Sequence, residues 1–265
     1  MSVLFPVVVV GSGNMGAALA RCLRQANPDG IIFGVDPDKS RLELLEAEGV
    51  LKPAVDDWTL PKGTLVLAIK PQVLEAVAAL LKPRLGPEVV ILSILAGVPL
   101  ARLRLAMGTE RVVRTMPNLP LTVGAGATAI ATDGCSPDLI AQARALLQPT
   151  GEVVEVLESQ LDAVTGLSGS GPAYVLKFLM ALEDGGVLAG LPRVVARKLA
   201  TATVAGTLRL VSESGEEPDV LRGQVTSPGG TTIFGLQALE QGGFTASVMQ
   251  AVQAATLRSK ELGKS

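Results

Sequence analysis

Two glycine-containing segments carry the residue types with which this chain could hold an anion or a dinucleotide. The first, residues 11–16 (GSGNMG), follows the apolar run VVVV and precedes a helical repeat of apolar residues. The second, residues 226–232 (TSPGGTT), also leads directly into an apolar helical repeat. Both segments are predicted to begin a helix, and the unpaired N–H groups at a helix start bind phosphate or carboxylate.

The rest of the composition limits the chemistry that is available. None of the 265 residues is a histidine, which excludes a Ser-His-Asp triad and histidine-ligated metals. The two cysteines are far apart and lack a CxxC partner, so we predict neither a disulfide framework nor a metal site. Catalysis must therefore rely on a cofactor, on hydroxyl or amine groups, or on carboxylates.

Charge and hydropathy patterns exclude two classes of partner. The net charge is -2 without a basic tract, and there is one Trp and one Tyr, so no nucleic-acid partner is expected. The longest apolar runs are far shorter than the roughly 20 residues of a membrane-spanning helix, and we find no signal-peptide pattern. We therefore expect a cytoplasmic protein that acts on a small molecule and has no membrane partner.

Strand and helix patterns alternate through the first part of the chain. Strands are predicted over residues 7–10, 31–35, 65–69 and 89–92, with helices between them. This order predicts an α/β fold with a Rossmann-type, doubly wound, mainly parallel sheet, and the Ala- and Leu-rich remainder predicts an all-α C-terminal dimerisation domain. We place a dinucleotide-binding domain at 1–158 and a helical substrate-binding and dimerisation domain at 159–265.

The first glycine segment matches the GxGxxG pattern of dinucleotide-binding folds. In that pattern Gly11 permits the tight turn, Gly13 lets a pyrophosphate approach, and Gly16 lets helix and strand pack. Asp36 ends the second strand, where an acidic side chain usually binds the ribose hydroxyls of NAD. The predicted cofactor is NADH or NADPH, and Asp36 favours NADH because it would repel a 2′-phosphate by about 1 to 4 kcal/mol.

Other roles for this turn stay open. Residues 36–38 (DPD) could be only a turn and a helix cap, and Lys39 or Arg41 could meet a phosphate.

The second segment resembles the signature of the pyrroline-5-carboxylate reductase family. Residues 162–174 (DAVTGLSGSGPAY) resemble that family's other landmark, so with the glycine-rich turn the resemblance covers almost the whole chain. It implies an NAD(P)H-dependent oxidoreductase that acts on a C=N bond and reduces 1-pyrroline-5-carboxylate to L-proline, the last step of proline biosynthesis. It also implies a homodimer through the C-terminal helices and leaves open a decamer assembled from dimers.

The resemblance and the helix-start argument together assign site residues in both predicted domains. Thr232 matches the hydroxyl that the family places beside the ring nitrogen, and it is the predicted catalytic residue. The predicted substrate-binding residues are Ser227, Gly229, Gly230, Thr231, Thr232 and Glu158. The predicted cofactor-binding residues are Gly11, Ser12, Gly13, Asn14, Met15, Gly16, Asp36, Ala68, Ile69, Lys70, Pro71, Ala96, Gly97, Asn118 and Gln224.

Several of these assignments have simpler alternatives. Glu158, Lys70 and Gln224 could be solvated surface residues. Asn118 could orient the cofactor or the active-site loop, or it could be only a turn asparagine. Leu119 departs from the threonine that usually follows this asparagine in the family, so no hydroxyl role is assigned there.

Two other functions are weighed against this one. A related imine or β-hydroxyacid reductase shares the two-domain plan, but Lys177 and Lys198 lack the motif expected around a catalytic lysine. A nucleotide-sensing module without catalysis would not need the segment at 226–232. Subunit number, feedback inhibition by proline, and the chain that contributes this segment are not determined by the sequence.

Overall fold

The computed structural model describes residues 3–263. Grouped by their mutual contacts, these residues form two compact units. The first unit comprises residues 3–170 together with 253–263, and the second comprises residues 171–252. This grouping rests on contacts and joins two separate stretches of chain in the first unit, so it does not test the domain boundary predicted at 158/159, which stays a prediction.

The first unit contains an eight-stranded sheet. Its strands in chain order are β1 (Val7–Val10), β2 (Ile32–Val35), β3 (Lys52–Pro53), β4 (Thr64–Leu67), β5 (Val90–Ser93), β6 (Val112–Met116), β7 (Gly126–Ala131) and β8 (Gly151–Val156). They are ordered β3-β2-β1-β4-β5-β6-β7-β8 across the sheet. The first six run parallel, β7 runs antiparallel to β6, and β8 runs parallel to β7. The predicted mainly parallel, doubly wound sheet is confirmed.

Two apolar cores cover the two faces of this sheet. Val7 and Val9 belong to one core and Val8 and Val10 to the other, because successive side chains of a strand point to opposite faces. A strand buried on both faces needs apolar residues at every position, which explains the uninterrupted valine run. The helices of this part are α1 (Asn14–Ala26), α2 (Lys39–Ala47), α3 (Leu74–Leu81), α4 (Leu100–Met107) and α5 (Pro137–Leu147).

The remaining chain is helical, as the sequence predicts. The elements are α6 (Leu161–Val164), a π-helical turn (Thr165–Gly169), α7 (Gly171–Leu188), α8 (Arg193–Ser214), α9 (Pro218–Gln224), α10 (Thr231–Gln241) and α11 (Phe244–Leu262). Helix α11 begins in the second unit, and its residues from 253 onward are grouped with the first.

The second unit exposes large apolar side chains. Helices α7 and α10 contain no buried residue, and Leu188 is 91% exposed, Met249 68% and Phe234 65%. Large exposed apolar side chains in this number favour an interaction surface. Among the helices of residues 3–263, none has the length and apolar character needed to cross a membrane.

Candidate functional site

The glycine turn after β1 has no room for a side chain at two of its glycines, but it has room at the third. Gly11 has a φ of +99°, and a Cβ placed on it would lie 2.5 Å from the carbonyl oxygen of Ala68. A Cβ on Gly16 would lie 2.0 Å from the carbonyl oxygen of Gly11. On Gly13, in contrast, a Cβ would meet only Arg41 Nη1 at 3.9 Å. The open space over Gly13 is therefore where a pyrophosphate can approach the backbone.

Two further observations show that this turn fits a dinucleotide. Helix α1 begins at Asn14 with Gly13 as its N-cap and without a side-chain cap, so its first N–H groups are available to an anion. Ser12 is 5% exposed, and its Oγ is buried without a hydrogen-bond partner among the described residues. A phosphate oxygen would supply the acceptor that this hydroxyl lacks.

Asp36 anchors the turn between β2 and α2. Its Oδ2 accepts a hydrogen bond from Ser12 N at 2.5 Å, and its Oδ1 accepts one from Asp38 N at 2.9 Å. The Asp36 carboxylate therefore joins this turn to the glycine turn, and it lines a cavity of about 460 Å³ with Trp58 and Lys39.

Asp38, two residues later, is the cap of helix α2. Its Oδ1 accepts hydrogen bonds from the Ser40 amide and hydroxyl, and the hydroxyl bond is the main cause that lowers the pKa of Asp38. Arg41 Nε lies 3.1 Å from Asp38 Oδ2. The cap role considered for this segment is therefore filled by Asp38, whereas Asp36 faces the glycine turn.

The segment 68–71 lies where the strand order reverses. Strand β1 has β2 on one side and β4 on the other, and ligands of open α/β sheets bind at such a point, beyond the carboxyl ends of the strands. Ala68 N donates to Val10 O at 2.8 Å, Lys70 is exposed, and Pro71 starts a short 3₁₀ turn. Ala96 and Gly97 follow β5 at the same edge of the sheet, with a φ of +73° at Gly97.

Asn118 connects three segments of the first unit. Its Nδ2 donates to the carbonyl oxygen of Ser168 at 3.1 Å, and its Oδ1 accepts from Ala127 N at 2.8 Å. The amide thereby joins the loop after β6 to the beginning of β7 and to the π-helical turn. This geometry matches the loop-orienting alternative for Asn118.

Glu158 is partly buried and has two hydrogen-bond partners for one carboxylate oxygen. Its Oε1 accepts hydrogen bonds from Leu100 N at 2.6 Å and from Arg114 Nη1 at 2.8 Å. The Arg114 side chain is 11% exposed and that of Glu158 27%, so the ion pair is partly buried. Both partners of this carboxylate belong to the first unit.

The start of α10 is an uncapped helix terminus with paired glycines. Gly230 is the N-cap and has no side-chain cap hydrogen bond, so neither the Ser227 nor the Thr232 hydroxyl caps this helix. Gly229 has a φ of +65°, and Gly230 N donates to Ser227 O at 3.0 Å. The first N–H groups of α10 thus remain available to an anion.

Thr232 and Gln224 complete the predicted residues of the second unit. Thr232 is the second residue of α10 and is half-buried, while Gln224 is the exposed last residue of α9. The structure therefore groups Ser227, Gly229, Gly230, Thr231 and Thr232 at one helix start. The remaining predicted residues, except Gln224, lie in the first unit.

Both cysteines are free thiols removed from bulk solvent to different extents. Cys22 is buried and Cys135 partly buried, and burial raises the pKa of both thiols. Among residues 3–263, no group of acidic or cysteine side chains is arranged to hold a metal ion.

Two family models match the chain in succession. A model described as "NADP oxidoreductase coenzyme F420-dependent" matches residues 6–97, and one described as "Pyrroline-5-carboxylate reductase dimerisation" matches residues 158–262. A curated pyrroline-5-carboxylate reductase of Synechocystis is 47% identical over 97% of each chain. The chain belongs to the pyrroline-5-carboxylate reductase family. It is therefore an NAD(P)H-dependent oxidoreductase with a dimerisation domain.

Solved structures of the family have the same fold over nearly the whole length. The Coxiella burnetii pyrroline-5-carboxylate reductase aligns with a TM-score of 0.89 at 30% identity, over 97% of each chain. The Plasmodium falciparum pyrroline carboxylate reductase, solved with NADP bound, aligns with a TM-score of 0.81 at 32% identity, over 97% of this chain and 99% of that one.

Sequence reasoning missed the contacts of two residues beside the family's motifs, Glu158 and Ser259. The bonds of Glu158 to Leu100 and Arg114 join residues 58 and 44 positions apart. Ser259, 7% exposed, donates through its Oγ to Asp162 Oδ1 at 2.6 Å across 97 positions. The sequence carries no local signal for the Ser259–Asp162 bond, because the tertiary fold decides whether a helical serine is buried.

Proposed function

We propose that this chain reduces 1-pyrroline-5-carboxylate to L-proline with NAD(P)H. The observation that carries the proposal is the uncapped start of α10, where paired glycines leave free N–H groups next to the Thr232 hydroxyl. This substrate carries its carboxylate on the ring carbon next to the nitrogen, and such a site can recognise both groups. A non-catalytic nucleotide sensor would have no use for it.

The substrate carboxylate is held by the backbone at the beginning of α10. The N–H groups of the first turn point at the carboxylate, and the helix dipole favours its negative charge. Because Gly229 and Gly230 have no side chain, the ring can approach the backbone closely. Ser227 contributes a further hydrogen bond to the carboxylate through its hydroxyl.

The ring nitrogen is held by Thr232. In its protonated iminium form the nitrogen donates a hydrogen bond to Thr232 Oγ1, which keeps the proton on the nitrogen and fixes the orientation of the C=N bond. When bound, the reduced nicotinamide supplies the hydride that adds to the ring carbon, and the protonated nitrogen becomes the secondary amine of proline. The protein contributes the orientation of the substrate ring relative to the nicotinamide, and it excludes orientations in which the hydride cannot reach the ring carbon.

The dinucleotide is held by the first unit. The glycine turn and the N-terminus of α1 bind the pyrophosphate, with Ser12 Oγ as an added donor, and residues 68–71, Ala96 and Gly97 complete the cofactor contacts. The cofactor roles of Asn118 and Gln224 stay predictions from the sequence. Asp36 binds the ribose hydroxyls, since each of its oxygens still has a lone pair beyond the two backbone bonds it accepts. This arrangement favours NADH over NADPH.

A single assay tests the reaction and the cofactor together. Oxidation of NADH and of NADPH is followed separately at 340 nm with pyrroline-5-carboxylate as substrate. We expect turnover with a larger kcat/KM for NADH than for NADPH. No oxidation of either nucleotide would contradict the proposed reaction, whereas a preference for NADPH would contradict only the role of Asp36.

The role of Asp36 is tested by the replacement Asp36→Ser. Removing the charge relieves the repulsion of a 2′-phosphate, so we expect the ratio of kcat/KM for NADPH to that for NADH to rise by about 10-fold or more. The variant Glu46→Gln removes the same charge from an exposed position of α2 and should leave the ratio within about 2-fold of the parent. Equal ratios in all three proteins would reject Asp36 as the determinant.

The carboxylate cradle is tested by Gly230→Val. A Cβ on Gly230 would lie 2.3 Å from Ser227 Oγ, and a branched side chain would occupy the space that the substrate ring needs. We expect KM for pyrroline-5-carboxylate to rise at least about 30-fold, about 2 kcal/mol, while the Kd of NADH stays within about 2-fold. If the affinity for NADH fell as well, the substitution would have disturbed the structure in general, and the result would contradict a local effect on the carboxylate cradle.

We also propose a homodimer formed through the C-terminal helices. The exposed apolar faces of α7, α8 and α10 and the match to a dimerisation model support it. Assembly of such dimers into a decamer and the cytoplasmic location stay predictions from the sequence.

A further inference from the structure

The turn that joins β5 to α4 is held by contacts outside its own sequence. It contains the exposed Ala96, the positive-φ Gly97 and the buried Val98, and it leads through Pro99 to Leu100, the first residue of α4. Proline at the N-cap position supplies no side-chain hydrogen bond to the helix. Other parts of the chain must therefore fix where α4 begins.

Glu158 supplies the missing contact at the start of α4. Its Oε1 accepts from Leu100 N at 2.6 Å, which gives the helix the side-chain acceptor that Pro99 cannot provide. A carboxylate at this end also interacts favourably with the helix dipole. Glu158 thus acts on α4 as a cap from 58 positions away in the sequence.

Arg114 fixes the Glu158 carboxylate in turn. Its Nη1 donates to the same Oε1 at 2.8 Å, and Arg114 as a whole is 9% exposed. The backbone N–H of Glu158 donates to Asp133 Oδ2, so the residue is held at both its main chain and its side chain. These contacts fix the position of Oε1 relative to Leu100 N.

The end of α11 closes the other side of the same turn. A Cβ on Gly263 would lie 3.2 Å from the carbonyl oxygen of Gly97, so the two backbones are nearly in contact. The Ser259 hydroxyl bond to Asp162, at 2.6 Å, fixes this last part of α11. The turn is therefore confined between Glu158 and the C-terminal residues of the described chain.

We propose that Glu158 is a positioning residue that fixes the turn at 96–98 through Leu100 N, and that it does not contact the substrate. The inference rests on the proposed function, in which Ala96 and Gly97 of this turn contact the cofactor. A displaced turn changes the distance between the two reacting carbons, which lowers turnover while substrate affinity is kept.

Steady-state kinetics separate a positioning role from a substrate contact. For Glu158→Ala we expect kcat to fall about 30-fold, with KM for pyrroline-5-carboxylate within about 2-fold of the parent. Glu158→Gln keeps an acceptor for Leu100 N and should recover most of kcat. A raised KM with unchanged kcat in either variant would overturn the proposal, because it would indicate that Glu158 binds substrate.

Hydrogen exchange provides a test that needs neither substrate nor nucleotide. In Glu158→Ala the Leu100 amide loses its acceptor, and we expect it to exchange at least about 10-fold faster. Glu158→Gln, with a weaker neutral acceptor, should give an intermediate rate and carries the test if the alanine variant does not fold. Exchange at Leu100 that is unchanged in the folded variants would overturn the proposal, whatever reaction the chain catalyses.

Glu155→Ala is the matched control. Glu155 lies on β8, three residues before Glu158, and its Oε1 accepts from Arg144 Nη2 of α5 at 2.6 Å. Both side chains of this pair are exposed, at 43% for Glu155 and 39% for Arg144. Removing it should change neither kcat nor the exchange of Leu100. Equal effects of the two alanine variants would overturn a specific role for Glu158.

Discussion

Replacing Thr232 by alanine is expected to lower kcat for pyrroline-5-carboxylate by about 100-fold, the scale of losing one preorganised hydrogen bond to a reacting group. The hydroxyl does not cap α10, whose N-cap is Gly230, so its removal takes no cap from the helix. The free energy of unfolding should consequently change by less than about 0.5 kcal/mol. Single-turnover reduction, followed at 340 nm with enzyme in excess, measures the chemical step directly.

Two further variants make the Thr232 experiment specific. Thr232→Ser keeps the hydroxyl and should restore kcat to within about 5-fold of the parent. Thr207→Ala removes an exposed hydroxyl that bonds only within α8, to Thr203 O at 2.8 Å, and should leave kcat unchanged. A Thr232→Ala protein that turns over at the parent rate would remove Thr232 from the mechanism.

Gly13→Ala is expected to raise the Kd of NADH by about 100-fold, about 2.8 kcal/mol, without unfolding the protein. In the structure a Cβ at this position meets nothing closer than Arg41 Nη1 at 3.9 Å, so the empty turn accepts alanine. The added methyl group occupies the space through which the pyrophosphate approaches the backbone. Calorimetric titration gives the affinity, and thermal unfolding shows that the fold is intact.

Gly11→Ala, in the same turn, should destabilise the protein, in contrast to Gly13→Ala. Its Cβ would lie 2.5 Å from the Ala68 carbonyl oxygen, and the φ of +99° is one that alanine rarely adopts. We expect this variant to lose both NADH affinity and at least about 2 kcal/mol of unfolding free energy. If Gly13→Ala lost stability as Gly11→Ala does, its loss of affinity would no longer indicate a pyrophosphate site.

The sheet could be predicted because its inner strands are short runs of apolar residues that are recognisable in the sequence. An apolar β-branched run such as Val7–Val10 has one stable placement, buried on both faces between helices. Strand β3 (Lys52–Pro53) was missed because two residues at a sheet edge carry no periodic pattern. Helix α4 was missed because its sequence, LARLRLAM, begins after a proline without a capping residue, and its cap comes from Glu158.

The sequence predicts which motifs form the candidate site, but it does not predict which residues those motifs contact. The glycine spacing predicts the turn at 11–16. Gly11 and Gly16 are required there because a Cβ at either position would collide with a backbone carbonyl oxygen. The partners of Asp36, Asn118 and Glu158 are set by the tertiary fold, and no local spacing contains them. A surface role for Glu158 was a reasonable expectation until the fold brought Arg114 and Leu100 to it.

Helix α11 has a consequence for dissecting this protein. Because its residues from 253 onward are grouped with the first unit, the polypeptide passes between the units twice, once near residue 170 and once near residue 253. A fragment that stops at residue 170 would retain every strand yet leave Asp162 without its serine partner and Gly97 without its glycine neighbour. An autonomous nucleotide-binding module should therefore be made by excising residues 171–252 and joining residue 170 to residue 253 through a linker.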